Sequence, residues 1–188
     1  MSIDTAQNDK AVVARIHGGD VEAYAHLVGR YQGPLLVFVF NLVRDRHLAQ
    51  DLAQDVFLKA YQSIRNYEAR DHIAFSTWLF CIAKNTCLDS LRSGKWKHEA
   101  IDERDSVFQM DPPQRDHVDG NRFREVLQKS LDKLALDQRM AFDLILVQGL
   151  SYEEAAQVMD CSVGTIKSRV HTARQNLQGR LRQFVDKE

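Results

Sequence analysis

Thr165, Lys167, Ser168, His171, Arg174 and Gln175 fall in a stretch that holds no acidic residue between Ser162 and Arg182. Side chains of these types bond to phosphate oxygens and to base edges, so the question is whether one element presents them together. Val163, Ile166, Val170, Ala173 and Leu177 recur at steps of three and four residues. That spacing predicts a helix with the apolar residues inward and the basic, amide and hydroxyl residues outward. Just before it, Ser151 and Glu154 have the spacing of a capping box, in which each side chain satisfies an orphan N–H at a helix start. A helix from Ser151 would end near Met159, because Asp160 tolerates a left-handed backbone and Ser162 can cap the next helix. The pair reads as a helix-turn-helix, whose second helix can enter the major groove of DNA and present its first turns to the bases. A merely solvated basic face is the plain alternative. It does not explain the two-helix pattern.

The elements around this pair are helical too. No segment sustains a two-residue alternation bounded by turn signals. The chain has 188 residues, 44% of them hydrophobic, enough for a sizeable core in one or two small domains. Its formal net charge of -1 says little, but the acid is concentrated mid-chain. Between Trp96 and Gly120 stand Glu99, Asp102, Glu103, Asp105, Asp111, Asp116 and Asp119 against Lys97, Arg104 and Arg115, with Pro112 and Pro113 and few core-forming residues. This composition predicts a flexible acidic linker over residues 96–120. The fold class expected is therefore all-α, with small helical domains at residues 1–95 and 121–188, the second carrying the helix-turn-helix. The longest apolar run, residues 35–40, is far shorter than the roughly 20 residues needed to span a bilayer. No signal peptide is read at the start. Three cysteines without metal or redox spacing suit reduced thiols in the cytoplasm.

Within the first domain, residues 10–17 form an amphipathic helix closed by Gly18 and Gly19. Asp20 can cap a second helix, which Gly33 and Pro34 should break or kink, with Pro34 opening a buried apolar helix over residues 35–43. Residues 46–64 place Leu48, Leu52, Val56, Ala60 and Ile64 inward and Gln50, Asp51, Gln54, Asp55 and Lys59 outward. Residues 65–74 read as a loop. A helix from Phe75 starts apolar and aromatic, with Trp78, and turns polar toward Lys84, Asn85 and Arg92 before Gly94. Rings beside cations suit single-stranded nucleic acid. Core packing is the competing role, and for Trp78 the favoured one. In the second domain Phe123, Val126, Leu127, Leu131 and Leu134 mark one helix. Asp137 is a cap candidate for another, which stops at Gly149.

These residues resemble the extracytoplasmic-function sigma factors, small two-domain subunits of bacterial RNA polymerase. The resemblance spans almost the whole chain. It rests on Gly19-Asp20 with Leu27 and Tyr31, on DLAQDVFLKAY from Asp51, and on Tyr67 followed by FSTWLFCIAKNTCLDSLR from Phe75. In the second domain it rests on Arg139, GLSYEEAA from Gly149, and GTIKSRV from Gly164 with Ala173-Arg174. It implies that Asp51, Gln54, Asp55 and Leu58 dock on core RNA polymerase. It implies that Tyr67, Phe75, Trp78, Lys84, Asn85 and Arg92 belong to the part that captures an unpaired base of the proximal promoter element and helps open the duplex. It further implies that Gly164, Thr165, Lys167, Ser168, His171 and Arg174 read the distal element as duplex DNA, with the helix N-terminus near Gly164 and Thr165 holding a phosphate. The partners implied are core RNA polymerase, promoter DNA and an inhibitory anti-sigma factor, membrane-anchored, in a stress or envelope or metal response. The chain itself would be a cytoplasmic monomer when free, without membrane insertion, cofactor or metal.

The chain departs from the family pattern in places. Ala155 stands where a branched aliphatic is usual, which should loosen the helix-turn-helix. Thr172 replaces a common Arg, and few basic residues follow Arg92. Each lost phosphate contact makes the salt dependence of binding shallower by about one unit of slope, so modest affinity for free DNA is expected. A conventional helix-turn-helix regulator is the alternative reading, but the first half offers no receiver-like alternation of strands and helices. An enzyme is disfavoured, since the seven histidines are scattered and no phosphate loop or nucleophile motif appears.

Overall fold

The computed structural model describes residues 3–67, 73–93, 127 and 129–185, and every regular element among them is helical. The helices are α1 (Ile3–His17), α2 (Tyr24–Val43), α3 (Arg46–Ser63), α4 (Phe75–Arg92), α5 (Leu136–Phe142), α6 (Tyr152–Met159) and α7 (Val163–Val185). Short 3-10 turns at Val21–Ala23 and Ile64–Asn66 precede α2 and follow α3, and a π-helical stretch, Asp143–Val147, continues α5. The acidic linker over residues 96–120 lies outside the described residues, as do Phe123, Val126 and residues 68–72 of the loop.

The expected break at Gly33–Pro34 does not occur: α2 runs through Pro34 to Val43. A proline inside a helix costs about 3 kcal/mol. Against that, Leu27, Tyr31, Leu35, Phe38 and Leu42 make one continuous buried stripe along α2, each side chain contributing roughly 1.5–3 kcal/mol on burial. The stripe outweighs the local penalty. The helix ends instead at Arg44, whose φ of 61° is left-handed and whose N–H bonds the Phe40 carbonyl. Asp45 then caps α3 by accepting from Leu48 N–H at 2.8 Å.

Helices α2, α3 and α4 pack together, with α1 laid across α2 and α4. Asp9 of α1, buried, accepts from both Arg30 and Tyr31. Phe38 and Phe80 meet edge to face at a centroid distance of 5.1 Å in the middle of this bundle. Cys87, further along α4, is fully buried, and burial pushes its thiol up to about 12.

The second half packs directly on the first. Met140, Ala141, Leu144, Leu150, Ala155, Val158, Ile166 and Val170 belong to the same continuous buried cluster as the α2–α4 core. A separate small core joins Leu134, Ala173 and Leu177, with Leu127, Leu131 and Phe142 against it. The cap of α5 differs from expectation. Ala135 occupies the cap position without a side-chain bond, and Asp137 lies inside the first turn, where it accepts from Arg169 of α7. A first-turn carboxylate gains from the helix dipole without capping. Among the described residues, no helix is long and apolar enough to cross a membrane.

Candidate nucleic-acid interface

The α6–α7 pair is built as its sequence requires. Ser151 Oγ accepts from Glu154 N–H at 3.1 Å, and Glu154 accepts from Ser151 N–H at 2.7 Å, which closes the capping box. Asp160 ends α6 at a φ of 51°, and Ser162 Oγ accepts from Thr165 N–H at 3.1 Å to start α7. Ala155, Val158, Ile166 and Val170 are buried in the common core. Replacing Ser151 by Ala should cost about 1 kcal/mol of stability, read as a lower urea midpoint with an unchanged slope.

Burial of Ile166, Val170, Ala173 and Leu177 turns Lys167, Ser168, His171 and Arg174 outward together, all exposed, next to exposed Gly164. Thr165 differs from the rest. It is half-buried, its amide is taken by the Ser162 cap, and its hydroxyl lies 2.9 Å from the same Ser162 oxygen. The expectation that this amide holds a phosphate is therefore corrected, because the cap already satisfies it. A Cβ at Gly164 would meet only Ser162 Oγ, at 3.7 Å, so this glycine is not required for folding.

Sequence reasoning missed Tyr152. Its ring lies under Lys167, with Nζ 5.8 Å from the centroid, within reach of a cation–π attraction. Such a contact across the turn orients an otherwise loose chain. Replacing Tyr152 by Leu should weaken duplex binding about twofold to fivefold, and Phe should preserve it, measured by fluorescence anisotropy at fixed salt. An aromatic one residue after a capping serine was the available signal. Arg169, also overlooked, faces Asp137 and the Cys161 sulfur and fastens α7 to the rest of the half.

The candidates around α4 do not form one surface. Tyr67 and Phe75 are 5% and 2% exposed, so neither can stack on a base as they stand. Tyr67, Phe75 and Trp78 pack on one another at centroid distances between 4.8 and 5.8 Å, and Tyr67 donates to the Ile73 carbonyl at 2.9 Å. They brace the ends of the loop between α3 and α4. Mutual ring packing buries more apolar area than an exposed platform would, and it drew these rings inward. Trp78 and Lys84 are half-buried, while Asn85 and Arg92 are exposed. On α3, Asp51, Gln54, Asp55 and Leu58 form one exposed stripe, Leu58 at 55%, with Tyr61 beside it at 41%. An exposed leucine and tyrosine amid acids and amides mark a surface suited to a protein partner. Among the described residues no group of three or more His, Cys, Asp or Glu converges as a metal site.

Two family models match the chain: Sigma-70 region 2 over residues 27–97 and Sigma-70, region 4, over residues 124–177. The RNA polymerase sigma-H factor of Pseudomonas aeruginosa is 33% identical, over 96% of this chain and 97% of that protein. The ECF RNA polymerase sigma-E factor of Haemophilus influenzae is also 33% identical, over 94% and 97%. The chain belongs to the extracytoplasmic-function sigma factors. Among solved structures, the sigma factor RpoE of Bartonella quintana, in complex with the anti-sigma factor NepR, superposes with a TM-score of 0.65 at 31% identity, over 85% of this chain and 96% of that one. CnrH, solved with the cytosolic domain of CnrY, shares the fold, with a TM-score of 0.70 over 93% of this chain and 97% of that one at 23% identity. As a sigma factor of this class, the chain directs transcription initiation by bacterial RNA polymerase. Region 2 covers most of α2 together with α3 and α4, and region 4 covers α5, α6 and most of α7.

Proposed function

We propose that the exposed α3 stripe of Asp51, Gln54, Asp55 and Leu58 docks on core RNA polymerase. Lys84, Asn85 and Arg92 of α4 hold the strand of the melted proximal element, over a brace made by Tyr67, Phe75 and Trp78. Lys167, Ser168, His171 and Arg174 of α7 read the distal element as duplex. The observation that carries this reading is the outward face of α7, basic, acid-free and exposed along the length where its opposite face is buried. An anti-sigma factor holds the protein inactive until stress releases it, a role supported by the similar Bartonella protein solved with NepR. The chain acts in the cytoplasm, where polymerase and promoter are, by binding rather than by catalysis. Multi-round transcription with sigma-free core polymerase and a library of random upstream sequences tests this. The expected result is protein-dependent transcripts that share two spaced upstream elements. Duplex binding without programmed transcription would instead make the chain a conventional regulator.

A further inference from the structure

Helix α1 lies ahead of the stretch that matches Sigma-70 region 2, which begins at residue 27, yet two of its polar side chains converge on one residue of that region, Tyr67. At the C-terminal end of α1, Arg15 donates to Asp20 at 2.7 Å and Asp20 accepts from Ala23 N–H at 3.2 Å, which clamps the turn through Gly18 and Gly19. His17, held in the last turn of α1 by this clamp, donates from Nε2 to the Ile64 carbonyl at 2.8 Å. That same carbonyl accepts from Tyr67 N–H at 3.1 Å. Nearer the start of α1, buried Asp9 accepts from the Tyr31 hydroxyl and from Arg30. The Tyr31 ring lies 5.5 Å from that of Phe75, which packs edge to face on Tyr67 at 5.8 Å. Burial and, after it, the nearby Asp9 charge push the Tyr67 phenol up to about 12. Helix α1 therefore reaches Tyr67 twice, once at its backbone and once at its ring.

We propose that α1 belongs to the proximal-element apparatus: Asp9 and His17 are positioning residues that set the Tyr67–Phe75–Trp78 brace between the end of α3 and the start of α4, and through it aim Lys84, Asn85 and Arg92 at the single strand. A carboxylate 2% exposed is a poor source of stability, because an apolar side chain of similar volume would pack there without losing hydration. What Asp9 supplies is direction. Its bond holds Tyr31 in one ring orientation, and Phe75 packs against that ring. His17 does the same for the backbone, since a hydrogen bond to a carbonyl fixes both a distance and an angle. Helix α4 then carries the placement of its first turn along to Lys84, Asn85 and Arg92. Placement matters more for reading than for holding. A phosphate tolerates a shifted cation, whereas base-edge hydrogen bonds weaken steeply off their line. Loss of the α1 ties should therefore relax the choice of proximal base before it abolishes transcription.

The DNA part rests on the function proposed above, and the hold of α1 on the brace stands by itself. Tyr31→Phe cuts the Asp9 tie and keeps the ring, and His17→Ala cuts the other tie at an exposed position. The full-length variants, with core polymerase, would transcribe two templates in one tube that share the distal element and differ at one proximal base. The ratio of the two transcripts does not depend on how much protein is folded, so a loss of stability alone leaves it unchanged. The double variant should lower this ratio by about fivefold or more, His17→Ala alone should lower it less, and His17→Gln, whose amide nitrogen can take the place of Nε2, should restore it. The matching ratio for two templates that differ in the distal element should stay at the wild-type value throughout. As a second arm, Trp96→Phe leaves Trp78 as the only tryptophan of the chain's two. In that background the double variant should shift the Trp78 emission to the red and open it to acrylamide, without added DNA or core. A proximal ratio that stays at the wild-type value, a distal ratio that falls with it, or an unmoved Trp78 emission would each overturn the proposal. A wild-type protein with no proximal preference at all would instead count against the function proposed above, and the Trp78 arm would then decide whether α1 holds the brace.

Discussion

Charge reversal on α3 by Asp51→Lys with Asp55→Lys should lower the affinity for core polymerase roughly a hundredfold, since like-charge juxtaposition at an interface costs several kcal/mol and each 1.4 kcal/mol is tenfold. Both carboxylates are exposed and take part in none of the packing that holds α3, so the unfolding midpoint should barely move. Transcription at low core concentration should collapse and then recover as core is raised. That recovery separates a docking defect from a promoter-recognition defect, which excess core would not rescue. A variant that transcribes like wild type at limiting core would remove α3 from the docking surface.

The largest effect on stability is expected at the meeting of α2 and α4. Phe80 is 1% exposed and packs edge to face on Phe38, itself fully buried. Phe80→Ala removes a ring from a close-packed site that has no solvent to fill it. It should cost about 3–5 kcal/mol, a large share of the roughly 5–15 kcal/mol by which such domains are stable. Urea denaturation followed by circular dichroism measures this directly. Phe80→Leu should recover a good part of it, whereas an equal loss for both would assign the effect to ring geometry rather than volume.

Local signals explain why some parts were readable in advance. Ser151 and Glu154 pair within one turn, Asp160 needs only its own backbone, and the inward spacing of Val163, Ile166 and Val170 depends on one helix, so the bounds, caps and buried face of α6 and α7 were legible, while the contacts of Tyr152 and Arg169 across to other residues were not. Pro34 misled because its penalty is local while the stripe that overrides it, Leu27 to Leu42, is paid back by packing against α3 and α4. Phe75 misled in the same way: an aromatic turn ahead of cations looks like a stacking platform until the neighbouring rings of Tyr67 and Trp78 claim it. The polar contact between the two halves, where Asn41 donates to Asp143, was harder still. Asp143 stands inside the apolar run from Met140 to Val147, an oddity visible in the sequence, but its partners Asn41 and Gln148 lie 102 and 5 residues away along the chain. Nothing in the spacing joins the first of them to it.

Cys87 offers a clock on the whole molecule. Its sulfur has no solvent contact, and its thiol is held at about 12, so at neutral pH the thiolate that attacks an alkylating reagent is almost absent from the folded chain. Modification of this one sulfur must then wait for the bundle of α2, α3 and α4 to come apart. Its labelling rate, with reagent in excess and the other two cysteines replaced by serine, counts global opening events under native conditions, in free protein and in complexes with polymerase alike, with no denaturant added.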